Sequence, residues 1–409
     1  MKINNNLQSF YKSNIAQKLN KKDKSLQFLP KCLESISDKK TIIYKEQKIK
    51  PAYLIDIVHN LLLKYYFKKD NRFALNALVL KDRYGCLYKH YIDYLIDNNI
   101  IHMIYNYKVG KTSRIYGLNT SVFKQTIKRT SNSDKVLLKK YKKKVFDTID
   151  FVDERVSSIK PEIREKLISD LFSVDIDFDR SLFYLNLLKK SDVDIYNRNI
   201  YSVESINDKH IFYHFDDYGR LHTNFTILKS FIRKNCLRID GEETCELDIK
   251  NSQPFFLCKL IEESQTAWVD KDEFDFFKQL VIGGNFYQYL MQLTGEKDRK
   301  NVKELTYKVL FGHNRSNSKS DLVFTSAFPT IHTFIKLYKK EFGNHKVLAH
   351  ELQRTESNLI YNKIIKKIML IYPDIKMVTV HDSIIFPKRF RSEVESIFYY
   401  ELNQEFNLK

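Results

Sequence analysis

Apolar positions change their spacing along the chain, and the changes mark out its elements. An apolar helical stretch covers residues 53–67, and shorter ones follow at 74–80 and 87–96, the last ending at Asp97-Asn98-Asn99. Two strand-like segments, 100–109 and 113–118, are joined at Gly110-Lys111. Upstream, residues 1–50 are polar and rich in Lys and Asn with scattered apolar positions, which predicts partly ordered helices with a mobile start. Downstream, a Ser/Asn-containing break at 130–133 precedes a run of further helices to about 200, with Pro161 at a first turn. Beyond 200 short strand-like runs (211–215, 245–249, 377–380, 384–386) alternate with helices at 286–293, 299–311 and 355–371. This is an α+β pattern in which a few antiparallel strands support helices.

Three helices followed by a hairpin with a basic tip resemble a winged-helix domain, here residues 51–125. That likeness implies Lys89 and His90 on a recognition helix, with Lys108, Lys111 and Arg114 reaching phosphates from the wing. A winged helix used only for protein contacts has the same pattern. The Lys139–Lys144 block, interrupted by Tyr141, reads as a solvated helix face or as a track for a nucleic-acid backbone. Asp175, Asp177 and Asp179 read as a solvated loop rather than a metal site.

Composition narrows the classes. The chain has 409 residues, 43% hydrophobic and 29% charged, which is a globular composition with room for two or three domains. No apolar run is long enough to span a bilayer and no leader pattern stands at the start, so a cytoplasmic protein without a membrane partner is expected. Five cysteines, none in a CxxC pair, support neither a zinc cluster nor a disulfide framework and suggest reduced thiols. Lys and Arg outnumber Asp and Glu by 69 to 50, a net charge of +19, which favours a polyanionic partner. A/T-rich codons for Lys, Asn, Ile and Tyr weaken that inference on its own.

The chemistry-bearing residues lie in the second half. Asp248 ends a strand and enters a turn in Cys245-Glu246-Leu247-Asp248-Ile249-Lys250-Asn251-Ser252-Gln253-Pro254. Asp382 interrupts an apolar run in Val378-Thr379-Val380-His381-Asp382-Ser383-Ile384-Ile385, where a charged pair flanked by buried strand is costly without a partner. Between them Arg299, Lys303, Tyr307 and Phe311 recur every four residues. On a helix this spacing gives one slowly winding stripe roughly 18 Å long, two cations followed by two aromatic rings. The competing interpretation is an ordinary amphipathic helix with the aromatics in the core and the cations snorkelling. Gly312 stands where a C-cap glycine would end the helix. Arg220 follows Gly219 ahead of the first carboxylate, and Leu352-Gln353-Arg354-Thr355-Glu356 opens the helix before the second, with Gln353 open to template or primer.

Residues 205–400 together resemble the polymerase core of family A DNA polymerases and the related phage-type single-subunit RNA polymerases. Asp248 matches the metal-binding Asp of motif A. Arg299, Lys303, Tyr307, Phe311 and Gly312 match motif B, and His381-Asp382 matches motif C. Gly219-Arg220 resembles the Gly-Arg ahead of motif A, and Gln353 the Gln ahead of motif C. The resemblance implies an α+β right-hand polymerase of palm, fingers and thumb, with an N-terminal extension (1–50), the winged-helix-like domain (51–125), a helical thumb-like region (126–204) and a catalytic core (205–409). It implies two magnesium ions, manganese being the alternative, held by Asp248, Asp382 and Ile249. Arg299 and Lys303 would bind the triphosphate and Lys303 protonate pyrophosphate, Tyr307 would contact the sugar, and Phe311 the nascent base pair. Arg220, Gln353 and His381 would face nucleic acid.

Some positions depart from the family pattern. DNA-making members usually carry Glu where this chain has Gln253, and RNA-making members a small residue. Tyr307 leans towards DNA, whereas Ser383 is commoner in the RNA-making branch. The upstream region lacks the length and carboxylates of a proofreading exonuclease. The expected function is that of a small DNA polymerase without proofreading, serving a phage, plasmid or mobile element, with primer-template DNA and nucleoside triphosphates as partners. The alternatives are a single-subunit RNA polymerase or primase-like enzyme, a template-independent transferase, and a replication-initiator-type nucleic-acid-binding protein on a degenerate scaffold.

Overall fold

The protein is described here by a computed structural model covering residues 24–68, 70–108, 112–150, 159–314 and 318–405. It is a mixed α+β chain that divides into two compact units, each assembled from separate stretches. The first contains Met1–Val152, Val174–Phe212 and Ile227–Arg238, and the second Asp153–Ser173, Tyr213–Thr226 and Ile239–Lys409. Residues 126–204 contribute to both.

In the first unit the helices Pro51–Lys68, Ala77–Tyr84 and Tyr88–Asp97 accompany three antiparallel strands, Phe73–Leu75, Arg114–Leu118 and Ile101–Tyr105, in that spatial order. Tyr53 to His59 are all buried, so the early part of the first helix is enclosed on every side, and Leu61 and Leu62 extend its buried surface. Residues 24–50 differ from the helical expectation. Ser25–Pro30 is a fully buried strand paired antiparallel with Ile127–Asn132, from Ser25 opposite Asn132 to Pro30 opposite Ile127. The predicted break at 130–133 therefore lies largely inside a strand. Ile42–Tyr44 and Gln47–Ile49 form a hairpin whose turn residues Lys45 and Glu46 have positive φ. Residues 1–23 lie outside the described residues, as does Lys111.

A buried polar cluster ties these pieces together. Asp56 accepts from Gln27 Nε2 at 2.8 Å, Arg83 Nε at 2.7 Å and Tyr84 Oη at 2.7 Å. Asn132 donates to Gln27 at 3.1 Å, so every member is satisfied, as a buried network must be. Asp175, Asp177 and Asp179 are not a loop. Asp175 sits in the strand Val174–Ile176, while Asp177 caps the helix Phe178–Ser191 by accepting from Arg180 N at 3.2 Å.

The second unit is organised around three antiparallel strands. Glu242–Asp248 pairs with Ser383–Pro387, which pairs with Val378–Val380. All residues of the latter two strands are buried. The helices Ser252–Ser264, Lys271–Ile282, Phe286–Thr294, Arg299–Phe311, Lys319–Ala327 and Pro329–Glu341 follow the first strand. Phe277, Phe286, Phe324 and Phe328 form their aromatic core, with neighbouring centroids 5.0–6.5 Å apart. The helix predicted at 355–371 starts earlier, at Val347, and contains a π-helical stretch, Asn358–Ile365, before resuming as Lys366–Ile371. The five residues 352–356 therefore lie inside it rather than at its opening. No helix among the described residues is long and apolar enough to cross a membrane.

Candidate active site

Sheet register brings the two candidate carboxylates together. Asp248, the last residue of its strand, stands opposite Ser383, and Val380 pairs with the same serine from the other side. His381 and Asp382 are thus the two-residue tip of a hairpin, and His381 has a left-handed φ of 54°. Asp248 is exposed and Asp382 half-buried. Burial raises the Asp382 carboxyl above its ordinary range and the nearby Asp248 charge adds to this, while a hydrogen bond from Ser252 opposes it. Asp248 and Asp382 are the pair of carboxylates that could hold a cation here. No group of three or more His, Cys, Asp or Glu side chains suited to a metal occurs among the described residues. Ile249 is buried, so its backbone carbonyl is what it can offer. Two carboxylates and a carbonyl fit magnesium, which keeps its other positions for water and substrate phosphate.

The helix Arg299–Phe311 is capped by Asp298, whose side chain accepts from Lys300 N at 2.8 Å. Val302, Thr306, Val309 and Leu310 are its buried residues. Arg299 and Lys303 are exposed and Tyr307 and Phe311 half-buried, so the stripe is a surface and not the core face. The ammonium of Lys303 lies 5.4 Å from the Tyr307 ring centroid, and the Tyr307 and Phe311 rings are 5.2 Å apart. Gly312 does not end the helix in the left-handed conformation: its φ is −83°. A Cβ there would run into the Lys308 carbonyl, and that close approach is what requires glycine. The buried Lys339 supplies the cap, donating from Nζ to the carbonyls of Gly312 at 2.9 Å and Val309. Burial lowers its ammonium pKa to about 8.

Tyr287 packs against this stripe, and nothing in the sequence singled it out. It is buried, and the Arg299 guanidinium lies 4.8 Å from its ring centroid. Burial raises its phenol, with the Tyr307 and Asp382 charges adding to the effect.

Glu356 is the second unexpected residue. It is 1% exposed and accepts from Arg220 through both oxygens, at 2.8 Å from Nε and 2.7 Å from NH2. Arg220 sits in the turn between Tyr213–Phe215 and Leu221–Thr223, where Gly219 has a φ of 85° and Asp216 accepts from the Arg220 amide at 2.9 Å. Gln253 Nε2 donates to Glu356 at 2.8 Å and Ser252 Oγ at 3.3 Å. Burial pushes the Glu356 carboxyl up to about 7 even against Arg220. Its place on the apolar face, eight residues from Leu348 and four from Leu352, is the signal that could have found it.

Gln353 is half-buried on that helix. The His381 ring lies 5.6 Å from that of His222, which pairs with Asp216 at 2.9 Å. In the first unit Arg114 is exposed, with its guanidinium 5.4 Å from the Tyr107 ring centroid and Nε donating to Asn106 at 3.1 Å.

No family model matches this chain, and no curated protein sequence does. Among solved structures it is similar to the POL domain of Pol1 from M. smegmatis in complex with DNA primer-template and dNTP. The TM-score is 0.34 and the identity 11%, over 56% of this chain and 53% of that one. This chain therefore spans about half the length of the protein it matches.

Proposed function

We propose that this chain carries out template-directed nucleotidyl transfer, as a small DNA polymerase without proofreading. One observation carries the reading: sheet register sets Asp248 opposite Ser383 and so beside Asp382 at the hairpin tip. A metal pair bound by Asp248, Asp382 and the Ile249 carbonyl would supply an activated attacking oxygen and charge neutralisation at the triphosphate. Arg299 and Lys303, exposed at the N-terminal end of the stripe, bind and orient the phosphates, and Lys303 gives a proton to the leaving group. Tyr307 sets the sugar, and Phe311 stacks against the nascent pair. In this reading the strands and the stripe helix are palm and fingers of a right hand. The element order of residues 51–118, with its strands in the order first, third, second, supports a winged helix that adds nucleic-acid contacts through Arg114. Ser383 beside Asp382 favours a second reading, an RNA-making enzyme on the same scaffold.

The test is extension of a labelled DNA primer on DNA and RNA templates with magnesium and either dNTPs or NTPs. Wild type is expected to extend with dNTPs, and Asp382→Ala to lose at least about a thousandfold in rate, as removal of a group that stabilises transition-state charge does. Preference for NTPs or synthesis without a primer would select the second reading. Absence of incorporation under every combination would leave a nucleic-acid-binding protein.

A further inference from the structure

The three-stranded sheet of the first unit has an open face that carries aromatic rings, and no step of the proposed chemistry uses it. We infer that this face binds the unpaired bases of a single nucleic-acid strand, which stack on Tyr105 and Tyr107 while the arginines beside them take the phosphates. The inference goes beyond the polymerase reading and does not need it, since stacking requires neither metal nor nucleotide chemistry.

Register separates the two faces of the sheet. Phe73, Tyr116, Ile101 and Leu118 are buried on one of them. Ile115 and Gly117 alternate with Tyr116 and Leu118 and so point the other way, opposite Ala74, Tyr105 and His102. On that side Ala74 and His102 are exposed and Tyr105 is 61% exposed. A Cβ on Gly117 would come within 2.8 Å of the His102 ring, so the imidazole lies across the glycine, its Nδ1 hydrogen-bonded to Asn119 Oδ1 at 2.6 Å. Small residues and a flat ring make a shallow floor, and Tyr105 stands beside it on the same strand. Tyr107, two positions on, is 53% exposed and has the Arg114 guanidinium against its ring. Exposed rings scattered singly need no explanation, but rings gathered in one place mark a binding surface.

Charge selects the occupant. Among the described residues of these strands and their turns, 70–75, 101–108 and 112–118, there are three cations, Arg72, Lys108 and Arg114, and one carboxylate, Asp70. Arg72 pairs with Asp70 at 3.0 Å with 66% of its side chain exposed, an ion pair weak enough to yield to a phosphate. A second copy of the chain would pair along the edge strand Ile101–Tyr105, but the register shift between Met103 and Tyr105 bends that edge away from pairing. Rings that offer a π-face suit the bases of a single strand. A duplex keeps its base faces inside the stack and would meet only the cations.

The test is binding of the full chain to a fluorescent oligothymidylate and to a blunt duplex, by anisotropy in chelator so that no metal-dependent contact contributes. Both tyrosines are exposed, so Tyr105→Ala and Tyr107→Ala leave the core intact. Each is expected to weaken single-strand binding about tenfold, the scale of one lost base stack, with duplex affinity unchanged, and Tyr105→Phe to bind as wild type does. An oligonucleotide carrying 5-iodouracil is expected on irradiation to cross-link within residues 101–108, which separates this contact from a strand bound elsewhere. Unchanged single-strand affinity in both alanine variants, or cross-links confined to other segments, would overturn the inference. So would an equal loss on duplex, which assigns the face to duplex contacts, or a wild-type dimer that Tyr105→Ala dissociates. Primer extension is read separately, and it can succeed where these measurements fail or fail where they succeed, so the two readings fall independently.

Discussion

Asp382 shows at the scale of one residue how a site built for charge costs stability. Its carboxyl is raised by burial and by Asp248, so the folded chain binds that proton more tightly than the unfolded chain does. Below the unfolded value near 4 both states are protonated and nothing is lost; as pH rises through the raised value, ionising Asp382 destabilises the fold. Asp382→Asn removes the ionisation. In chelator-treated protein it is expected to raise the melting temperature at pH 7.5 by a few degrees, on the order of 1 kcal/mol, with no gain near pH 3.5. A melting temperature that falls at pH 7.5 would show that the Asp382 charge is well compensated without metal. Residues such as Asp248, Arg299 and Lys303 could be picked out from the sequence because they stand in motifs whose order resembles a known family; spacing alone is equally met by an ordinary amphipathic helix. Glu356 and Tyr287 could not. The partners of Glu356 come from 136, 104 and 103 residues away, and local spacing holds no information about them.

Helices long enough to show their period were legible: 53–67 became Pro51–Lys68 and 87–96 became Tyr88–Asp97. The strand Ser25–Pro30 was not, because it is buried on both faces and its ladder is formed with residues about a hundred positions on. The end of the helix Arg299–Phe311 was misread for a related reason. A glycine after a helix suggests a left-handed cap, but here the carbonyls are capped by Lys339, 27 residues downstream, and Gly312 serves close approach. Gly312→Ala is therefore expected to destabilise the protein by about 1–3 kcal/mol through crowding of the Lys308 carbonyl. Denaturant titration measures this, and extension assays on the same variant should show weakened nucleotide binding as the Phe311 end of the stripe shifts. A variant as stable as wild type would mean that the helix end relaxes freely.

The whole molecule carries a net charge of +19, and codon bias does not alter what that charge does in solution. If nucleic acid is its partner, phosphate neutralisation dominates the binding free energy. With about six phosphate contacts, affinity for a DNA duplex should fall roughly a thousandfold between 50 and 200 mM salt. Fluorescence anisotropy across that range gives the slope directly, and a slope near zero would remove the electrostatic argument for a polyanionic partner. The two units were not legible as such, since each is stitched from segments that only long-range contacts bring together.

The π-helical stretch Asn358–Ile365 has a consequence for how this site tolerates change. Glu356 and Tyr361 are five residues apart, a separation that an α-helix sends about 140° around its axis. Yet Glu356 meets Arg220 while the Tyr361 hydroxyl accepts from the amide of Leu221, the very next residue. The wider turn behaves as a single inserted residue absorbed in mid-helix, letting two side chains out of phase address one hairpin. Deleting Asn358, which is exposed, would remove that inserted residue and close the turn to ordinary pitch, with the helix beyond it still in phase with the core. Ile364, Ile365 and Ile368 would then stay buried, and the shared address of Glu356 and Tyr361 on one hairpin would be what is lost. Over these eight residues chain length can change by one at the expense of a single pairing rather than of the core.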